Sequence, residues 1–443
     1  MNNEPKIMVG IMDRQAEVNG CLNGKFQGNG FGPALGQFSA KISSGKIVLT
    51  DGAHREIARF PTIRLTGLED STVDLFQVII GTRFHWERRE DQTFQGDLIL
   101  SMRNEKTITV INKILLENYL KSVISSEMNA AAPMEFLKVH AILSRSWLMA
   151  ALSRKNKNKE KSLAIPQESA NEGEVIRWYD REDHDLFDVC ADDHCQRYQG
   201  VRKILSSQAE EAVRETRGRV ITYHDEICDA RYSKACGGLT EDFHTAWEDK
   251  RVPYLTSTAD APVPHRPMGT EEEAARWILS APEAYCHTQD EHLLEKILPA
   301  LDRETRSFFR WRTEYSRQEL EEILREKSGF DFGDLQEIVP LHRGRSGRIH
   351  RLKITGSKKS IVVGKELEIR RWLSQTHLYS SAFVVKIERG THGNAERFSF
   401  HGAGWGHGVG LCQIGAAVMA ARGFSSEEIL KHYFRGAEIK RIY

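Results

Sequence analysis

Three groups of residues stand out for the chemistry that their types and spacing allow. The first is His401-Gly402-Ala403-Gly404-Trp405-Gly406-His407-Gly408-Val409-Gly410, with five glycines in ten residues. Such a backbone needs positive φ or the close approach of another group. Neither GxGxxG nor GxxxxGK[ST] is present, so phosphate cradling is not indicated. An indole face stacks on a pyranose ring and an imidazole hydrogen-bonds hydroxyls, so Trp405 and His407 would suit a sugar. A tight turn packed in a core is the plainer alternative. The second group is His184-x5-Cys190-x4-Cys195, with His194 adjacent. Thiolates and imidazole within a dozen residues can wrap one tetrahedral zinc, although a pair of unrelated buried thiols would look the same in sequence. No HExxH occurs, and no Pro-Cys-x-x-Cys follows His54-Arg55-Glu56 or His85-Trp86-Glu87, so neither a zinc protease nor a zinc deaminase is favoured.

The third group is one residue. Glu127 follows an apolar helical segment and precedes Met128 and an Ala-Pro stretch, which would half-enclose its carboxyl. Enclosure disfavours the ion and suits a general acid; a solvated surface glutamate is the bland alternative.

The elements that must position these groups can be read from periodicity. Residues 5–13, 46–50 and 72–80 alternate or run apolar between Gly- and Asp-rich turns and predict antiparallel strands, as does 107–110. From Leu116 the apolar positions Tyr119, Leu120, Val123 and Ile124 take helical spacing. Pro133 suits the first turn of a second helix, with Leu137, Ala141, Ser144, Leu148 and Ala151 on one narrow face. The polar run 154–161, continuing to about 173, predicts a solvated loop. Residues 220–223 and 227–232 predict a hairpin, 317–327 a helix, and 349–354 and 381–387 strands. Gly423 should stop a helix begun near Gln413, and Ser425 with Glu428 forms a capping box for the next.

Composition bounds the function. The chain has 443 residues, with 62 basic and 62 acidic side chains, so a general affinity for nucleic acid is not expected. Mean hydropathy is −0.47 and no apolar run is long enough to span a membrane. The N-terminus lacks a basic region followed by an apolar one, and seven scattered cysteines are not a disulfide framework. Taken literally, both facts point to a reducing compartment.

The segments together resemble the SpoIID/LytB family of sporulation stage II protein D and amidase-enhancer proteins. The resemblance rests on Leu116-Glu117-Asn118-Tyr119-Leu120 through Ser125-Ser126-Glu127-Met128, then Leu137-Lys138 and Arg145. It continues through Cys195-Gln196-x-Tyr198-x-Gly200, Cys236-Gly237-Gly238-x-Thr240-Glu241, Trp247 and Pro253-Tyr254-Leu255. Ser346-Gly347-Arg348 and the glycine-rich loop through Gln413-x-Gly415-Ala416 complete it, over about residues 105–443. It implies a peptidoglycan lytic transglycosylase that cuts MurNAc–GlcNAc bonds of denuded strands with Glu127 as the single acid/base, leaving 1,6-anhydroMurNAc ends. It further implies zinc, of structural use, held by His184, Cys190 and Cys195. Trp405, His407 and Gln413 would position sugars, with Tyr119, Lys138 and Arg145 as further partners on the substrate side; for Arg145 an internal salt bridge is an equal alternative. A non-catalytic glycan binder that stimulates a cell-wall amidase is the rival within the family, and a cytosolic zinc enzyme acting on a small metabolite the rival outside it. The substrate would place the protein outside the cytoplasm, against the lack of a visible signal.

The chain departs from the family pattern in three places. Leu411-Cys412-Gln413-Ile414 stands where relatives often carry Met-Ser-Gln and an aromatic, His140 replaces a usual Gln, and the 253–345 region is long. The expected architecture is α+β: a β-rich part over 1–104, a catalytic core over 105–255, an accessory helical insertion over 256–342, and a part over 343–443 that completes the catalytic module.

Overall fold

In a computed structural model, residues 4–82, 87–158, 168–169, 173–179, 184–192, 194–204, 206–266, 268–299, 302 and 307–443 are described. His85-Trp86 and most of the polar stretch 159–172 lie outside them. The chain divides into two units, Met1–Leu148 with Arg181–Arg219 and Arg441–Tyr443, and Met149–Asp180 with Val220–Lys440.

The first unit is built on one eleven-stranded sheet. Its order is Val189–Cys190, Lys6–Gln15, Ile108–Leu115, Asp97–Met102, Thr62–Gly67, Glu17–Gly28, Pro33–Ser43, Lys46–Asp51 and Glu56–Phe60; Thr72–Ile80 and Arg88–Gln95 branch from Glu17–Gly28. Alternation explains the strands. In Thr72–Ile80, Val73 and Leu75 point inward, then a bulge with Gln77 at φ 58° resets the phase so that Val78 and Ile80 point inward too. The sheet does not stop near residue 104. Ile108–Leu115 pairs with both Lys6–Gln15 and Asp97–Met102, so the expected 1–104 segment and the start of the next are one ladder.

Helix α1 (Leu116–Glu127) leaves that ladder directly, and Leu116, Tyr119, Leu120, Val123 and Ile124 are fully buried. Pro133 immediately precedes α2 (Met134–Asn158), its carbonyl accepting the Leu137 N–H. The helix runs to Asn158, so 154–158 is helical and not the expected loop. Arg, Lys and Asn add little cost to extending a formed helix, whereas starting one is expensive. Helix α3 (Ser207–Glu215) is capped by the Ser206 side chain.

The second unit holds a five-stranded sheet ordered Glu168–Ser169, Glu174–Arg177, Ser360–Gly364, Ile349–Gly356, Leu335–Arg343, and a three-stranded one ordered Arg310–Ser316, Ala395–Ala403, Phe383–Arg389. Trp311, Leu324, Leu352, Trp372, Phe383 and Phe400 fill their shared core. The 256–342 region is mixed, not simply helical. Beside the helices Glu271–Leu279, Glu291–Ile297 and Arg317–Ser328 it supplies Arg310–Ser316, hydrogen-bonded along Ala395–Ala403. The hairpin Arg219–Tyr223/Glu226–Ile227 turns on His224 and Asp225, both with positive φ. Its second strand is short because Tyr232–Ser233 pairs with Leu411–Cys412 in parallel instead.

Candidate functional site

Glu127 is the last residue of α1 and is 8% exposed. Its Oε1 accepts the backbone N–H of Arg197 at 3.1 Å. A buried carboxylate without a donor would be costly, so the loop carrying Arg197 is part of what holds this side chain in place. That loop is itself braced. The Tyr119 hydroxyl donates to Gln196 at 3.2 Å, the Tyr198 hydroxyl donates to Asn112 at 2.7 Å, and the two rings lie 5.0 Å apart. Burial pushes both phenols well up, so they stay protonated donors. Gly200, at φ 73°, passes so close to the Thr93 carbonyl that a Cβ would sit 2.2 Å from its oxygen. The Cys-Gln-x-Tyr-x-Gly spacing thus has a physical reading: it locks the backbone amide that reaches Glu127.

The same loop begins at a group of potential metal ligands. His184, Cys190, His194 and Cys195 bring two sulfurs and two ring nitrogens within 4.8 Å of one another. Separations of 3.4 Å (His184–Cys195), 3.4 Å (His194–Cys195) and 3.8 Å (Cys190–His194) match the edges of a zinc tetrahedron, about 3.3–3.8 Å for ordinary Zn–N and Zn–S bonds. Hydrogen bonding from Cys195 and the two imidazoles holds the Cys190 thiol well below its usual range, against the opposing effect of burial. The donor set fits zinc. His194 is the ligand that the sequence reading left outside the set; its position one residue before Cys195 was the signal.

The remaining sequence candidates of this unit are engaged within it. Arg145 is fully buried and forks onto Glu117, at 3.0 and 2.6 Å. Lys138 pairs with Glu135 and Glu215 at 2.8 and 2.7 Å. Tyr119 is fully buried.

In the second unit the glycine-rich loop is a left-handed zigzag: Gly404, Gly406, Gly408 and Gly410 have φ from 75° to 95°. Arg348, fully buried, explains the tightness. Its Nε and Nη2 donate to the Gly406 carbonyl at 3.1 and 3.0 Å, and a Cβ on Gly408 would sit 2.4 Å from its guanidinium. Glu241 accepts the N–H and hydroxyl of Ser346; burial pushes its carboxyl up. The Cys-Gly-Gly-x-Thr-Glu, Ser-Gly-Arg and glycine-rich segments therefore meet through Glu241, Ser346 and Arg348, which sequence reading noted without a role.

Trp405 is half-buried, stacked on Phe308 at 5.2 Å with Tyr379 edge-on at 5.1 Å. His407 accepts the Val409 N–H on Nδ1 at 3.0 Å and meets Trp247 edge-on. Burial, then the Arg231 and Arg348 charges, hold His407 well below the usual histidine range, so it is neutral near pH 7. Gln413 opens the helix Gln413–Ala421 and is 2% exposed.

Comparison with known proteins agrees with the motifs. A family model described as "Stage II sporulation protein" matches residues 104–223, and one described as a domain of unknown function (DUF8618) matches 241–410. An uncharacterized protein of Brachyspira hyodysenteriae is 26% identical over 347 residues, 78% of this chain and 72% of its own. The amidase enhancer of Bacillus subtilis is 26% identical over 255 residues, covering 53% of this chain and 33% of that protein. Stage II sporulation protein D of Bacillus amyloliquefaciens is 23% identical over 331 residues, 74% of this chain and 75% of the relative.

Proposed function

This chain belongs to the SpoIID/LytB family, and from that membership and the enclosure of Glu127 we propose that it is a lytic transglycosylase of peptidoglycan. The observation that carries the reading is a single carboxyl, 8% exposed, anchored by a backbone N–H from a braced loop. Protonated, Glu127 donates to the glycosidic oxygen while an oxocarbenium-like centre develops at the MurNAc C1. Ionised, it then accepts the proton of the MurNAc C6 hydroxyl, whose oxygen closes on C1 as the 1,6-anhydro ring. Water is not consumed and no second carboxylate is needed. In the second unit the half-buried indole of Trp405 offers a stacking surface for sugar, while His407 spends its ring nitrogens within the loop and its surroundings.

Zinc on His184, Cys190, His194 and Cys195 would use all four protein ligands and leave no open position, which suits a structural role. Bound there, it cross-links the segment leading into Cys195-Gln196-Arg197, and the chain's own Arg197 amide then holds Glu127.

The test is incubation of the purified protein with denuded glycan strands and mass spectrometry of the products. Wild type yields anhydro-ended fragments and Glu127→Gln yields none. Undiminished products from the variant would remove Glu127 from the reaction. A relative named amidase enhancer favours a second reading, glycan binding that stimulates a separate amidase. Wild type that makes no anhydro ends yet accelerates an added cell-wall amidase would establish it.

A further inference from the structure

A second group of ligand atoms lies in the other unit, formed by residues that no local spacing connects. Cys236, Asp260, Cys286 and Cys412 are each at most 3% exposed, and their three sulfurs and one carboxylate oxygen all lie within 4.8 Å of one another. Cys286 and Cys412 stand 50 and 176 positions from Cys236 along the chain. We propose that these four residues form a closed, tetrahedral zinc site that ties the glycine-rich loop to the 256–342 region.

Three observations argue for a metal over a packing of thiols. The first is geometric: Cys236 Sγ and Cys286 Sγ are 3.8 Å apart, the edge expected between two thiolates on one zinc, about 3.8 Å for Zn–S bonds of about 2.3 Å. The second is electrostatic. Asp260 is fully buried among three sulfurs, and a carboxylate taken out of water costs several kcal/mol unless a cation answers it. The third is the shell around the ligands. Asp260 accepts the Cys286 N–H at 2.9 Å on one oxygen and the Tyr433 hydroxyl on the other, which fixes the carboxylate's orientation. Cys412 Sγ accepts the N–H groups of Cys236 and Gly415, at 3.3 and 3.4 Å, as a thiolate at a helix start would. Packing is so close that a Cβ on Gly415 would lie 2.1 Å from Asp260 Oδ1.

Three thiolates and one carboxylate select a soft tetrahedral cation over calcium or magnesium. Four protein ligands leave no position for substrate, so the site is structural. Its consequence is mechanical. Cys236 follows the Ala235–Trp405 bridge, and Cys412 follows Gly410 and pairs through its strand with Ser233, so the metal staples both flanks of the loop. Asp260 and Cys286 bring in the region that the family resemblance left as an unexplained extension.

The test measures zinc per chain in protein purified with reductant and no chelator, with X-ray absorption at the zinc edge. Wild type should hold two zinc ions. Cys190→Ser/Cys195→Ser, which removes the other site, should retain one, with three sulfur scatterers and one light atom. Loss of all zinc in that variant, or a mass showing a Cys236–Cys286 disulfide in the folded chain, would overturn the proposal. Should the double variant fail to fold, wild type decides alone: two zinc ions, or one with three sulfur scatterers and one light atom, uphold the site, and no zinc or one with two sulfur scatterers overturns it.

Discussion

At the scale of single residues, burial sorts the charged groups that sequence could only nominate. Arg145 and Glu117 sit in one motif-bearing region, but their mutual fork, joined by the Gly218 N–H and the Tyr443 hydroxyl on Glu117, makes them an internal strut. Arg145→Met would leave Glu117 buried without its cation, and should cost about 3–5 kcal/mol by chemical denaturation. A loss under about 1 kcal/mol would mean that water reaches Glu117. Glu127 differs in that a backbone amide, the Arg197 N–H, donates to its Oε1 and holds the carboxyl in place. Sequence pointed to Glu127 through its place after an apolar helix. It could not point to Arg197, whose contribution is an amide that every non-proline residue has.

At the scale of elements, periodic strands and capped helices were legible and ligand groupings were less so. Residues 72–80 form a strand with the bounds read from alternation, and the Ser425–Glu428 capping box is formed as expected. Replacing Ser425 by Ala should cost about 1 kcal/mol, read as a lower thermal midpoint, and no change would mean the cap is dispensable. The 154–158 run was misread because charge resembles a loop when the helix before it is ignored. The Cys236, Cys286 and Cys412 grouping was illegible because tertiary contacts, not spacing, bring it together: the pairing of Ser233 with Cys412 and the hydrogen bond from the Cys286 N–H to Asp260. The 184–195 cluster lends itself to a test at this scale. Chelation should speed hydrogen exchange of the Arg197 amide and slow glycan cleavage, and zinc should restore both. Unchanged exchange at Arg197 would detach the cluster from Glu127.

At the scale of the whole molecule, the four segments read along the chain became two units because ladders ignore segment boundaries. Among the described residues no helix is long and apolar enough to cross a membrane. The proposed substrate would place the protein outside the cytoplasm, so fractionation of cells should find it with the wall or periplasm; exclusive recovery from the cytosol would oppose the glycan reading. The half-buried histidines of the second unit predict a loss of its stability in acid. Burial, followed by the Lys365 and His244 charges, lowers His350 to about 4 from 6.5. Below pH 6.5 the unfolded chain therefore takes up the proton first. Stability from this group is intact above that pH and declines as pH falls toward 4, by about 2–3 kcal/mol in all. His377 and His407 are shifted the same way. Urea midpoints at pH 7 and pH 4.5 should differ less in His350→Gln than in wild type, and equal differences would contradict this assignment.

If Glu127 cuts the glycan as proposed, the sugar's own C6 hydroxyl is the nucleophile and no water enters the product. The most direct measurement is digestion of denuded strands in water enriched with oxygen-18, followed by mass analysis of the new MurNAc ends. The ends should carry no heavy oxygen and resist borohydride reduction. Ends that have taken up oxygen-18 and are reducible would show a hydrolase, and would contradict the proposal.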